Sequence, residues 1–208
     1  MEQVLDIYQR PYDADYPVVC LDETSKQLVE HVRAPIPAKP GQIAREDDEY
    51  KRNGVAAIFM AVEPLTGKCV TDVPPHRGCL EFAWFVLHLC DVVYPNAKRI
   101  CLVMDNLNTH SIASLYATFS PEQAHRIASR LDMHYTPKHG SWLNMAEIEL
   151  SVLARQCLDQ RIATLSELAN EVRTWTHSRN ADPCPIRWQF TTADARIKLR
   201  RLYPSRGV

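Results

Sequence analysis

The sequence predicts an α/β domain whose chemistry sits at the ends of buried strands, and three observations carry that prediction. Apolar runs of strand length alternate with stretches of helical periodicity along 208 residues, enough for one well-buried core with a smaller extension and too few for two independent enzymatic domains. Two of the runs, Val18–Leu21 and Arg99–Met104, are each followed at once by an aspartate, Asp22 and Asp105. A further acidic group is offered by the helix that the segment Tyr135-Thr-Pro-Lys-His-Gly-Ser-Trp-Leu-Asn-Met-Ala-Glu147 opens.

Residues 1–17 include Arg10-Pro-Tyr-Asp-Ala-Asp-Tyr-Pro17, where two prolines and mixed polarity read as an extended linker. Val18–Leu21 is a short β-branched run ending at Asp22. Residues 33–53, rich in Pro, Lys, Asp and Glu, form a surface loop of a length that is usually functional or mobile. Val55–Val62 and Cys69–Val73 are strand-like and flank the turn residues Glu63-Pro-Leu-Thr-Gly-Lys68, a hairpin pattern. Over residues 79–93, Leu80, Ala83, Trp84, Leu87 and Cys90 recur at three- and four-residue steps, which predicts an amphipathic helix with Trp84 in the core.

The run through Met104 suits a strand buried on both faces, with Asp105 at its carboxyl end, where open α/β sheets present their sites. A helix follows over 111–118. Ser120, Pro121 and Gln123 supply an N-cap, a first-turn proline and a capping-box partner for the next one. Met133–Thr136 is a short strand and Pro137–Ser141 a loop carrying Lys138 and His139. Helices are then expected over 142–160 and 166–178, with a basic one over 191–201. The domain therefore spans 18–160, and 161–208 form a C-terminal helical extension.

Composition excludes several classes. No apolar run approaches the roughly 18 residues of a membrane span, and Met1 begins no secretory signal, which leaves the cytoplasm as the expected location. The seven cysteines are scattered, without a Cys-x-x-Cys pair, and read as reduced core thiols rather than a disulfide framework or zinc cluster. Net charge is −1, yet residues 1–125 carry 11 basic against 17 acidic groups while residues 126–208 carry 13 against 8. A basic half beside an acidic site suits a phosphodiester substrate, since cations hold the backbone while carboxylates hold metal. An uneven solvated surface is the plainer alternative.

Three carboxylates from two strand ends and one helix are the arrangement expected of two-metal phosphoryl transfer. Mg²⁺ is a hard ion bound by a few carboxylates and substrate phosphate, and paired ions serve both the attacking and the leaving oxygen. Taken singly, a strand-end aspartate is often only a turn former. The third carboxylate is open by pattern. Leu143, Ala146, Leu150, Leu153, Ala154 and Cys157 make an apolar stripe with Glu147 and Glu149 at its opposite borders, and periodicity leans towards Glu147.

Asp105-Asn-Leu-Asn-Thr-His110 with the Tyr135–Glu147 segment resembles the catalytic region of bacterial insertion-sequence transposases related to the mariner elements, members of the DDE group. Val18-Val-Cys-Leu-Asp-Glu23, the hairpin after Arg52-Asn-Gly54 and the tail Trp188–Lys198 share the resemblance. It implies an RNase H-like α/β fold with a mixed five-stranded sheet. The hairpin strands would pair antiparallel with the Asp22 strand, and the Asp105 and Thr136 strands would run parallel to it.

It also implies metal-dependent cleavage at transposon ends and strand transfer into target DNA by two Mg²⁺ ions, with Mn²⁺ as substitute. Asp22, Asp105 and Glu147 would be the metal-binding catalytic carboxylates, and Glu149 a solvated helix residue. Asn106 and His110 would orient phosphate or water, their plainer roles being a helix N-cap and a satisfied core histidine. Lys138 and His139 would contact a DNA phosphate, or simply line a surface loop.

The 41 residues between Asp105 and Glu147 exceed the interval in eukaryotic mariner elements, and the extra capped helix at 120–130 accounts for the excess. Such transposases carry N-terminal helix-turn-helix domains, so the chain resembles the catalytic half alone, from a truncated copy or from the second frame of a split gene. Expected partners are transposon-end and target DNA, a second copy of the chain on DNA, and a separate helix-turn-helix protein. The rival readings are a hydrolytic nuclease on the same fold and an inactive DNA-binding or dimerisation remnant.

Overall fold

The computed structural model describes residues 1–203. Its centre is a five-stranded sheet of order β3-β2-β1-β4-β5, built from β1 (Val18–His31), β2 (Tyr50–Glu63), β3 (Lys68–Asp72), β4 (Ile100–Met104) and β5 (Leu131–Tyr135). β1 and β2 pair antiparallel, as do β2 and β3, while β4 runs parallel to both β1 and β5. These are the expected directions. The helices are α1 (Glu2–Tyr8), α2 (Cys79–His88), α3 (Ile112–Thr118), α4 (Pro121–Ser129), α5 (Ala146–Gln156), α6 (Leu165–Ala181) and α7 (Thr192–Lys198).

Strand alternation divides the sheet's side chains between two cores. Val19, Leu21, Phe59, Ala61, Leu102 and Met104 meet Phe82, Phe85 and Val86 of α2, Leu115 of α3 and Ile127 of α4 on one face. On the other, Cys20, Ile58, Met60, Val62, Cys101 and Val103 meet Leu5 and Ile7 of α1, Leu153 of α5, and Leu168 and Val172 of α6. Local signals set several boundaries. Ser120 caps α4 by accepting from the Gln123 N–H at 3.3 Å, with Pro121 in the first turn. Thr164 and Glu167 form a reciprocal capping box on α6.

The structure departs from the sequence reading in four places. β1 runs for 14 residues instead of stopping at Leu21, because β2 pairs with its polar continuation as far as His31, opposite Tyr50. Asp22 therefore lies within a strand, and the 33–53 loop gives up its last residues to β2. Secondly, residues 1–17 are not an extended linker throughout: Glu2–Tyr8 are helical, with Val4, Leu5, Ile7 and Tyr8 buried. Arg196 grips Glu2 through two 2.8 Å contacts, and Thr192 donates to Asp6 at 2.6 Å, which ties α1 to α7.

Thirdly, Trp84 is 54% exposed and packs edge-on against Phe119 at 5.1 Å. The stripe Phe82, Phe85, Val86 and Leu89 has the same spacing as the one containing Trp84 and takes the core instead. Fourthly, the helix expected from Trp142 begins only at Ala146, after a short 3₁₀ turn over Ser141–Leu143. All seven cysteines are free; Cys20, Cys69, Cys90, Cys101 and Cys157 are buried, whereas Cys79 and Cys184 are exposed. The residues expected to be helical up to 201 form α7 and a 3₁₀ turn at Arg200–Leu202.

The packing of α1 makes a prediction that separates a docked helix from a linker. Leu5 is fully buried, so Leu5→Ala should lower unfolding free energy by about 2–5 kcal/mol in urea melts. A change within about 0.5 kcal/mol, as for a surface site, would show that the amino-terminal helix does not contribute to the core.

Candidate active site

β1 and β4 pair in parallel over only three positions, Val18–Cys20 against Cys101–Val103. Asp22 follows just beyond that pairing, still fixed by its ladder to Met60 of β2. Asp105 follows Met104, the last residue of β4. Glu147 lies in the first turn of α5 and is exposed.

The charges of Asp105 and Glu147 reach Asp22, although donor atoms of the three are not gathered within 4.8 Å of one another as those of Glu23, Asp105 and His110 are. Burial, and then the negative charges of Glu23, Asp105 and Glu147, push the Asp22 pKa from 3.8 to about 7, although the Glu23 N–H donates to Asp22 Oδ1 at 2.8 Å. Asp105 goes the other way: contact with His110 outweighs its partial burial and holds it below the usual carboxylate range.

His110 is 1% exposed and lies between two acids, with Nδ1 2.6 Å from Asp105 Oδ1 and Nε2 3.0 Å from Glu23 Oε2. Both contacts are short but off the ring N–H axes, so charge carries them more than directed hydrogen bonding. Burial alone would lower the His110 pKa, yet the two carboxylates lift it to about 9, and the ring is cationic at neutral pH. Phe82 covers it at 4.9 Å, and Tyr135 Oη donates to its carbonyl at 2.8 Å. Sequence left His110 open between a group that orients phosphate or water and a core histidine; the structure buries it between Asp105 and Glu23. Glu23, Asp105 and His110 have donor atoms close enough to hold an ion together, but the imidazolium already supplies positive charge there.

The remaining expected residues lie at the rim. Asn106 is exposed next to Asp105, and it is not a helix cap, since Ser111 holds that position before α3. Lys138 and His139 are exposed on the loop after β5. That loop starts beside Asp105, because the Thr136 N–H donates to the Met104 carbonyl at 2.9 Å. His139 has φ 62°, a left-handed conformation uncommon outside glycine. Gly140 closes the turn where a Cβ would meet Pro137 Cγ at 2.6 Å.

Sequence reasoning missed Asn144 and Glu23 and misjudged Glu149. Asn144 is buried, donating from Nδ2 to the Leu21 carbonyl at 2.8 Å while its Oδ1 accepts from the Ala146 N–H at 3.2 Å. One amide thus joins the backbone before Asp22 to the backbone before Glu147. Tyr8 holds the same lead-in by donating to the Leu143 carbonyl at 2.6 Å. Glu23 had a sequence signal: in a strand, adjacent carboxylates point to opposite faces, so the one opposite Asp22 needs a partner of its own. Glu149 is not solvated. It is 3% exposed and bound bidentately by Arg179 at 2.7 and 2.9 Å. The helical phase reckoned from Leu143 fails because Leu143 precedes the helix; counted from Ala146, Glu149 falls inside the buried stripe and Glu147 faces outward.

Two expectations follow. A carboxyl whose folded pKa is raised costs increasing stability as pH climbs from about 4 to about 7, so Asp22→Asn should stabilise the metal-free protein by about 1–2 kcal/mol at pH 7.5, with the gain gone at pH 4. Urea melts at both values check it, and an equal gain at both would remove the charge explanation. Asn144→Ala should cost about 1–3 kcal/mol by the same assay, because it leaves the buried Leu21 carbonyl unpaired.

Comparison with known proteins gives the family and the fold. Residues 17–169 match the family model described as DDE superfamily endonuclease. Among solved structures, the chain is similar to the Mos1 mariner paired-end complex with Mn, with a TM-score of 0.57 and 16% identity over 85% of this chain and 52% of that one. It is also similar to the Mos1 strand transfer complex, with a TM-score of 0.56 and 14% identity over 88% of this chain and 52% of that one. The chain thus spans about half the length of the solved chains it matches, and shares with them the RNase H-like fold. No curated protein sequence matches. By the extent of the family match, which includes Asp22, Asp105 and Glu147, the chain belongs to the DDE superfamily endonucleases.

Proposed function

We propose that this chain is the catalytic domain of a DDE transposase, which cleaves DNA at transposon ends and joins the freed 3′-hydroxyl to target DNA. Asp22, Asp105 and Glu147 are its metal-binding carboxylates, for two Mg²⁺ ions with Mn²⁺ as substitute. The observation that carries this reading is the placement of the three acids inside the family match, with Asp22 just beyond the β1–β4 pairing, Asp105 just after β4 and Glu147 in the first turn of α5. Among the described residues no cation pairs with Asp22 or Glu147. An all-oxygen donor set whose charge is uncompensated at Asp22 and Glu147 fits hard divalent ions. In such sites paired ions activate the attacking oxygen and stabilise the leaving one.

The chain's own residues do the positioning. The β1–β2 ladder fixes Asp22, His110 holds Asp105, and Asn144 sets the start of α5 so that Glu147 completes the group. Lys138 and His139, with Asn106 beside them, hold the DNA backbone at the rim, and the excess of basic residues after 125 extends the same attraction. Its partners are transposon-end and target DNA, a second copy of the chain, and a separate helix-turn-helix protein that recognises the ends. No helix among the described residues is long and apolar enough to cross a membrane, and the site of action is cytoplasmic, on nucleoid DNA.

Nicking of supercoiled plasmid in Mn²⁺, with insertion of a 3′-hydroxyl oligonucleotide into the same plasmid, tests the reading. Asp22→Asn, Asp105→Asn and Glu147→Gln should each lose at least ~10²-fold in both reactions, the scale of several kcal/mol of metal-assisted stabilisation. A fully active Asp105→Asn protein would overturn the assignment, and nicking without joining would reduce the protein to a hydrolytic nuclease. Lys138→Ala should weaken plasmid binding and shrink the slope of log affinity against log salt by about 1.

A further inference from the structure

The sheet face that carries Asp22 also carries a second donor set, nearer the start of the parallel strands. Cys101 of β4 stands opposite Asp132 of β5, with His134 two residues further along β5, so all three side chains leave the sheet on the same face. One sulfur, one carboxylate oxygen and one ring nitrogen from them lie within 4.8 Å of one another. His134 is 8% exposed, and its Nε2 is buried 2.9 Å from Asp132 Oδ2 without an in-line hydrogen bond. Cys101 is 3% exposed, while the Asp132 side chain, at 47%, opens the cluster to solvent along the edge strand. The buried imidazole nitrogen thus has a carboxylate beside it and a thiol within the same cluster, and no hydrogen bond from either.

We propose that Cys101, Asp132 and His134 form a second metal site, separate from the Asp22, Asp105 and Glu147 group, that takes Zn²⁺ with water in the fourth position. The donor chemistry selects the ion. Oxygen-only carboxylates suit Mg²⁺, whereas one sulfur, one imidazole and one carboxylate make a borderline-soft set of three with an open place, as zinc uses. Binding forms a zinc–sulfur bond and releases the Cys101 thiol proton to solvent. Cys101 and Asp105 are four residues apart, ~13 Å along the strand at ~3.3 Å per residue, so the two sites do not share a ligand. An ion here staples β5 to β4. It thereby steadies Tyr135, which donates to the His110 carbonyl, and the Lys138–His139 loop that follows it.

Cobalt reports the site directly, because only a thiolate ligand gives a near-ultraviolet sulfur-to-cobalt charge-transfer band. Titrating the full chain with Co²⁺ should raise that band to saturation at one equivalent, and Zn²⁺ should abolish it. Asp22→Asn should keep the band, which separates this site from the carboxylate group even if that group binds nothing. Cys101→Ala should lose the band while retaining Mn²⁺-dependent plasmid nicking. Asp132→Asn, at a half-exposed position that leaves the fold intact, should weaken Co²⁺ at least ~10-fold. A native chain without the band, or a band undiminished in both Cys101→Ala and Asp132→Asn, would overturn the proposal.

Discussion

The site depends on where two parallel strands part. β1 and β4 pair for three residues only, and the Pro17 carbonyl accepts from the Cys101 N–H at the start of that pairing. Alternate carbonyls of β1 face the same way, so the carbonyl of Leu21 is the one left bare where β4 turns off towards Asp105. The Asn144 amide takes it. A side chain therefore replaces the missing strand at the point where the backbone would otherwise be unpaired, and the same side chain starts the helix that brings Glu147. The gap in the ladder makes room for the site, and its repair supplies the third acid.

The two aspartates are handled in opposite ways. Asp105 is neutralised locally by a buried imidazolium that also answers Glu23, which gives it a fixed orientation and a low pKa. Asp22 has neighbours that are mostly acids, and its charge is uncomfortable in the absence of an ion. One aspartate is thus held in its charged form while the other keeps a charge that burial and its acidic neighbours oppose. Two aspartates of the first kind would make the fold more stable, so the arrangement at Asp22 costs stability that a second such imidazolium would have spared.

Most of the sheet was legible in sequence because it rests on short-range signals: apolar runs, turn residues and caps. Strand directions and the place of Asp105 directly after β4 agreed with the expected arrangement, whereas Asp22 lies inside β1 and not at its end. What failed did so where two patterns competed or where the deciding contact lay far away in the chain. Trp84 and Phe85 offered rival helical stripes, and only the tertiary core chose between them. The polar half of β1 looks like loop until β2 is placed beside it. Glu149 could not be told from Glu147 without knowing that the helix starts at Ala146 and that Arg179 lies 30 residues away. Asn144 lay within the segment that carried the resemblance, but its contact was illegible because its partner is 123 residues distant.

The amino-terminal helix has a mechanical consequence. α7 grips α1 along its length, Arg196 at Glu2 and Thr192 at Asp6, and the last residue of α1, Tyr8, holds the Leu143 carbonyl, three residues before α5. A pull or twist applied to residue 1, whether by a fused partner or a surface tether, is passed along a buried, two-turn lever to the backbone that sets Glu147. Attachment at that end is a handle on the start of α5.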